Sequence, residues 1–488
     1  MTFDSLLALA GLVVAIYALL PEYRRLDLKL RMTRLDWAVA VSALALVHYL
    51  QFYEAMQSLG LTPSLGLRRW GVYPSNASYL VVAAASAFLW LRMRYSRLSR
   101  RQLPRLERLV EELLWQGRYA ELISLLKRYL LRIASRFPDE QCSREIMRAT
   151  LTRPEFVRAV ARTEPYFVLL VLPLNLQEIP DFVNIYFSES LSTPSSAFCS
   201  EIRNNQDLLS GDRYAVPSSN RILYHLLSKA HVARDLAVYR PIGETVIREL
   251  QVLRHRGSPD PHLRPVGLWS EDEFCDSQWE SPVFVGIRFF DIMVAEAMYQ
   301  DVDWHMWLYY FPDFTREILV NYSEDGDGID PLAEWPTRYS YLLYQIVRTH
   351  RNWIRSVSEL PEGNRHKSIR TPRLDHENDN IPKSAVLSLA QCLEMIGESA
   401  AVGEALKRYL FEIPLRLYFE LRRQEAAGLL AECLLNGISQ SGSSEGPSSR
   451  YQDCVQGAFS ALDKVPFPGP LVRELEQALT TRFRHRES

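Results

Sequence analysis

The densest set of groups able to do chemistry in this chain is acidic. Asp325, Asp327, Asp330 and Glu334 fall within the twelve residues from Ser323 to Glu334, between two segments of helical periodicity. They offer the oxygen donors that a hard divalent cation takes, and Gly328 supplies the sharp turn such a loop needs. Asp325, Asp327 and Glu334 are therefore candidate metal ligands. A second group, Asp291, Glu296, Asp301, Asp303 and His305, lies in an aromatic-rich stretch with Trp304, Trp307, Tyr309, Tyr310 and Phe311. Asp301 and His305 are four apart, the spacing at which one helical face would carry a base and its orienting carboxylate. Acidic caps around an aromatic core account for the same residues without catalysis. Asp375, His376, Glu377 and Asp379 sit in a polar loop, and His255 and His262 flank a turn rich in Pro and Gly; both sets read as solvated surface. The chain has no phosphate-binding Gly-x-x-x-x-Gly-Lys-Ser/Thr loop, no His-Glu-x-x-His zinc helix and no Gly-x-Ser-x-Gly elbow, which argues against a familiar ATPase, metalloprotease or esterase.

The acidic string resembles an EF-hand calcium loop, with Asp325, Asp327, Gly328 and Glu334 at its third, fifth, sixth and twelfth positions. That resemblance implies calcium as a candidate ligand; apart from it, no cofactor is expected. The string departs from the pattern at Ser323, Asp330 and Pro331, and an acidic turn that ends one helix and starts the next is the simpler reading.

The elements that must position these groups are helical. Leu106, Leu109, Val110, Leu113 and Leu114, then Leu122, Ile123, Leu125, Leu126 and Leu130, recur at helical spacing on either side of Gly117. The passage from Trp115 to Leu122 resembles the turn of a tetratricopeptide-type helical hairpin, over one hairpin and without a sustained 34-residue period. The same periodicity returns at 154–161, 181–187, 220–236, 243–253, 286–310, 314–320, 338–353, 384–396, 403–435 and 470–483. Residues 168–172 are apolar and short, a buried strand or a helix turn. The expected fold class is all-α.

Three uncharged runs, Ser5–Leu20, Trp37–Tyr53 and Ala77–Leu91, precede this helical mass, with aromatic residues near their ends. They are expected to be three short transmembrane helices in the bilayer. Arg24, Arg25, Lys29, Arg31 and Arg34 lie between the first two, and seven arginines from Arg92 to Arg108 follow the third, so both segments should be cytoplasmic and the N-terminus outside. With no cleavage site behind the first run, it reads as a retained anchor. Gly11 and Ala15 belong to a face of small residues, and His48 and Gln51 are three apart in the second run; these are the candidates for helix packing or for a pore.

Charge supports that division. Residues 1–136 hold 19 Lys/Arg against 9 Asp/Glu, whereas residues 137–488 hold 37 against 49. A basic stem suits anionic lipid, and an acidic domain repels phosphate backbones, so nucleic acid is not an expected partner. Six scattered cysteines without a Cys-x-x-Cys pair fit a reduced compartment. The expected organisation is a transmembrane anchor over 1–95, a basic helical stem over 96–136, an α-helical cytoplasmic domain over 137–438, a Ser/Gly-rich linker over 439–450 and a helical tail over 451–488. The sequence points first to a scaffold, receptor or regulator at the plasma or inner membrane, whose cytoplasmic domain binds a protein partner. The alternatives are an effector whose anchors form a homo-oligomeric pore or lesion on a signal, and an enzyme of unfamiliar type.

Overall fold

The computed structural model describes residues 17–60, 73–95, 98–174, 176–204, 216–256, 277–303, 307–324, 339–374, 380–424, 427–440, 447–462 and 469–484. Every regular element among them is a helix, as the periodicity requires. The short run at 168–172 forms a single helical turn, Val168–Val171. The chain divides into two compact units, Met1–Glu178 and Ile179–Ser488.

The first unit contains α1 (Glu22–Arg31), α2 (Arg34–Ser58), α3 (Pro74–Tyr95), α4 (Leu103–Trp115), α5 (Tyr119–Arg136), α6 (Gln141–Leu151), α7 (Pro154–Thr163) and α8 (Val168–Val171). A capping box starts α2. The Thr33 hydroxyl accepts the Asp36 N–H, and the Asp36 carboxylate accepts the Thr33 N–H at 2.7 Å. Amides that no carbonyl within the helix can reach are satisfied in this way. The 25 residues of α2 extend about 37 Å, enough to cross a hydrocarbon core of about 30 Å. α2 packs against α3, whose apolar part, Asn76–Leu91, extends only about 24 Å. Of the three expected spans, then, the second has a helix long and apolar enough to cross. The third forms a shorter apolar helix, and the first lies outside the described residues except for Tyr17–Leu20.

α4 and α5 form a helical hairpin whose turn is made by Gly117. Its φ of 67° is left-handed backbone that a side chain disfavours. Arg118 N–H then reaches Leu113 O at 2.9 Å and Gly117 N–H reaches Leu114 O at 3.2 Å, closing the end of α4 as a Schellman motif. Leu106, Val110, Leu122, Leu126 and Leu130 are fully or almost fully buried in this hairpin, and α6 and α7 pack against its two helices.

The second unit contains α9 (Ile179–Leu191), α10 (Ala197–Arg203), α11 (Arg221–Leu227), α12 (Ala230–Asp235), α13 (Tyr239–Arg256), α14 (Pro282–Tyr299) and α15 (Tyr310–Glu324). It continues with α16 (Ser340–Arg355), α17 (Ile381–Glu398), α18 (Glu404–Arg422), α19 (Gly428–Gln440), α20 (Ser449–Leu462) and α21 (Gly469–Arg484). α13, α14 and α15 surround an aromatic cluster in which Phe290 meets Tyr310, Phe311 and Phe314 with centroids 5.7–5.8 Å apart. Gly243 on α13 lies under the Tyr310 ring, where a Cβ would collide. α18 packs on α20, and the fully buried Tyr451 donates its hydroxyl to Ile438 O at 2.8 Å.

Three segments that read as continuous helices are broken. Residues 220–236 divide into α11 and α12, 286–310 stop at Asp301, whose φ is 59°, and 403–435 divide into α18 and α19. One side chain bridges the first two breaks. Gln300, at the end of α14, accepts the Ala230 N–H at 2.6 Å and donates to Leu227 O at 2.7 Å, pairing backbone groups that the break between α11 and α12 leaves open.

Candidate functional site

Among the acidic candidates, Asp303 lines an open groove with Arg234, Asp235, Ala237 and Tyr239, and Asp301 meets Arg365 beside it. Asp303 takes Arg234 at 3.0 Å and lies 3.7 Å from Arg365. Asp301 accepts the backbone N–H of Arg365 at 2.8 Å. Its left-handed backbone ends α14, and its carboxylate then clips the loop at 364–367 in place. His366 completes that corner: Nε2 faces Val302 O at 3.0 Å and Nδ1 accepts the Ile381 N–H at 3.3 Å. Among the described residues both carboxylates thus bond cations or backbone donors, an arrangement that holds a loop in place. Asp291 lies elsewhere on α14, paired with Arg288 at 2.9 Å, and burial pushes its carboxyl upward. Glu296 accepts from Gln300 at 2.7 Å. His305 lies outside the described residues, as do Asp325, Asp327 and Glu334 of the calcium-loop string and the loop at 375–379.

A Ser–His pair does occur, inside the core. His350 Nδ1 stands 2.7 Å from Ile346 O and Nε2 stands 3.0 Å from Ser388 Oγ. His350 is 0% exposed and Ser388 4%, with Phe311 and Trp353 edge-on to the imidazole. The separation suits a nucleophile and its base, but the covering rings deny a substrate access. Burial depresses the imidazole pKa to about 4, so His350 is a neutral, hydrogen-bonded core residue. The thiols of Cys199 and Cys392 are likewise buried, with burial pushing them up to about 11 and about 12, and neither is a poised nucleophile. No group of three or more metal-type ligands occurs among the described residues.

Of the membrane candidates, Gly11 and Ala15 lie outside the described residues. On α2 the buried positions are Asp36 in the first turn and, further along, Val47, Leu50 and Tyr53. His48 is exposed beside that face, its ring edge-on to Phe52 at 6.2 Å, and Gln51 is half-buried. The outer surface of α2 displays Leu35, Trp37, Val41, Leu44, Leu46 and Phe52.

A polar clip that the sequence did not disclose joins α1 to α5. Asp27, Leu30 and Arg31 occupy one face of α1 and are buried. The Asp27 carboxylate accepts from Arg31 Nε at 3.0 Å, from Arg128 at 2.7 Å and from the Tyr129 hydroxyl. Arg31 also donates to the Tyr129 oxygen at 3.0 Å. Burial foremost, and then the hydrogen bond to Asp27, push the Tyr129 phenol up to about 12. Glu22 pairs with Arg118 at 2.6 Å, and Gln102 reaches Leu30 O at 3.5 Å. The i, i+4 pair Asp27/Arg31 was legible; its partners are far away in sequence and gave no signal.

In the second unit a ladder of rings runs from the buried Phe284 through the half-buried Tyr341 and Tyr344 to the exposed Tyr409. Trp279 meets Phe284 at 4.9 Å, Phe284 meets Tyr341 at 6.4 Å, Tyr341 meets Tyr344 at 5.9 Å and Tyr344 meets Tyr409 at 6.1 Å. The Arg348 guanidinium lies over Tyr344 at 5.9 Å, and Tyr409 is 42% exposed.

No known family matches the chain, and neither a curated protein nor a solved structure matches it.

Proposed function

We propose that the chain is an integral membrane protein that holds an all-helical domain at the cytoplasmic surface, where the domain binds a protein partner. The observation that carries the membrane half is α2. Only 17% of its most apolar window is buried, whereas a core helix of a soluble protein is covered on most sides. The bilayer is the solvent that suits such a surface. The α1 clip supports the orientation, because it joins the segment before α2 to the hairpin after α3. Both basic segments then share one side, as the positive-inside bias demands. Retention of the full-length protein in the pellet after alkaline extraction, with cysteines introduced at 24 and 105 labelled only from the cytoplasm, is the expected result. Release at alkaline pH sinks the membrane reading.

The aromatic ladder supports the partner half. Tyr, Trp and Arg are the residues that dominate protein interfaces, since they bring large apolar area at small entropic cost. A photo-crosslinking residue at position 341 should capture one discrete adduct in the host, and Tyr344→Ala with Tyr409→Ala should remove it. An adduct unchanged by both substitutions refutes this surface.

His48 favours a second reading. An exposed imidazole within an apolar helix seeks a protein or water-lined surface in the bilayer, which suits anchors that associate into a pore or lesion. Liposomes that leak with the wild-type protein and seal with His48→Leu support this reading. Sealed liposomes in both cases end it.

A further inference from the structure

We infer that α1 and the first turns of α4 form a collar that binds anionic phospholipid headgroups in the leaflet from which the helices emerge. The inference rests on the membrane reading and names the lipid class that the anchor takes.

α1 is bracketed by apolar runs. Arg25 Nε donates to Leu20 O at 3.0 Å where the first run ends, and the Thr33 cap opens α2 two residues after α1 closes. A ten-residue helix with both ends tied to spans lies along the interface. Such a helix ordinarily turns its buried face into the acyl chains. Here that face, Asp27, Leu30 and Arg31, is taken by α5, so α1 meets the leaflet with other side chains, among them the exposed Arg24 and Lys29. The Gln102–Leu30 hydrogen bond brings the start of α4 to the same end of α1. There Arg101 is exposed on the 3-10 turn Arg100–Gln102, Arg105 and Arg108 are exposed three apart on the first turns of α4, and Arg34 is exposed at the head of α2.

The charge is unbalanced locally. Arg24, Lys29, Arg34, Arg101, Arg105 and Arg108 are in no ion pair among the described residues. Among the nearby acids, Asp27 is taken by Arg31 and Arg128 and Glu22 by Arg118, while Asp36 and Glu107 bond neutral groups and Glu111 and Glu112 follow Arg108 on α4, so the cations outnumber the acids left to face them. Six unpaired cations at the mouth of a spanning hairpin complement a layer of headgroup phosphates. Each cation that reaches the surface is worth about fivefold in association with anionic lipid.

The test uses the full-length protein in nanodiscs of phosphatidylcholine with a minor share of phosphatidylglycerol, read by the immobilised fraction of spin-labelled probes of each lipid. The inference expects a severalfold preference for phosphatidylglycerol at low salt that collapses in molar salt. Arg101→Gln/Arg105→Gln/Arg108→Gln should weaken it, and the matching Lys variant should keep it. Equal immobilisation of the two probes by the wild-type protein at low salt, or a preference that ignores salt, overturns the collar. A protein that fails the collar test yet stays in the alkaline pellet leaves the anchor standing, so the two failures are distinguishable. Should the glutamine variant not fold, the wild-type salt series decides alone.

Discussion

Asp27 accepts the phenolic hydrogen of Tyr129, 102 residues further along the chain, and so ties the short helix ahead of α2 to the hairpin that follows α3. The same carboxylate neutralises Arg31 and takes a bond from Arg128. One small acidic side chain therefore satisfies three donors at a junction that is otherwise rich in cations.

Removing its charge should deprive the buried Arg31 and the half-exposed Arg128 of the counter-charge that Asp27 supplies. Asp27→Asn is expected to destabilise the first unit on the order of 3 kcal/mol. Tyr129→Phe removes a hydrogen bond to a charged group and should cost about 2 kcal/mol. Because the two substitutions delete a shared bond, the double variant should lose less than the sum of the singles. Denaturant unfolding of the purified protein measures all three. An Asp27→Asn protein that unfolds with the wild type shows that the clip holds nothing.

Acid should weaken the second unit through His350. Its folded pKa, about 4, lies below the ordinary histidine value because burial disfavours the charged ring. Below pH 6.5 the unfolded chain binds a proton that the folded chain refuses. The stabilisation is thus complete above about pH 6.5 and is lost as the pH falls toward 4. Between pH 6.5 and pH 5 the loss amounts to about 2 kcal/mol. His350→Phe, which leaves Ser388 bonded to Leu308 O at 3.0 Å, should flatten that part of the stability profile. Identical slopes for the two proteins remove His350 as the cause.

Gln300 offers a test of the broken helices. Gln300→Ala leaves the Ala230 N–H and the Leu227 carbonyl without their side-chain partner and should cost about 2 kcal/mol. Gln300→Glu restores an acceptor for Ala230, but it sets a carboxylate against Leu227 O and Glu296. At neutral pH it should be no more stable than the alanine variant, recovering as the pH falls and the new carboxyl, whose pKa the Glu296 carboxylate and Leu227 carbonyl raise, takes up a proton. Full rescue by glutamate at pH 7 would show that the donor side of Gln300 is idle.

Periodicity made the helices legible because burial follows it: Leu106, Val110, Leu113 and Leu114 recur at helical spacing and are all buried. It could not show where helices stop when no glycine or proline marks the place. Asp301 enters the left-handed region within a stretch of continuous helical periodicity, where its carboxylate takes the Arg365 amide, a contact 64 residues away. The turn at Gly117 was legible because only its own residue type was needed. Sites were harder to read than elements. Asp301 and His305 suggested a catalytic face by spacing alone, yet the break at Asp301 ends the helix that would have placed them on one side. The clip at Asp27 was hidden for the opposite reason, since its partners stand on a helix whose apolar pattern says nothing of where Tyr129 sends its hydroxyl.

The exposed face of α2 separates a bilayer from water by a single substitution. Leu44 is 57% exposed and sits ten residues into the helix, about 15 Å from its start and so near the middle of a hydrocarbon core. On a water-facing surface Leu44→Lys would change stability by less than about 0.5 kcal/mol. In a bilayer a lysine at mid-depth costs about 2.5–3.5 kcal/mol of insertion, roughly a hundredfold in the inserted fraction when insertion is marginal. Trp37→Lys is the internal control, because a lysine one turn from the helix start can extend its amine to the headgroups. In an insertion assay with α2 placed behind a reporter span, Leu44→Lys should fall far below both wild type and Trp37→Lys. If the two lysine variants insert equally well, the apolar face of α2 does not meet lipid, and the anchor must be sought elsewhere in the chain.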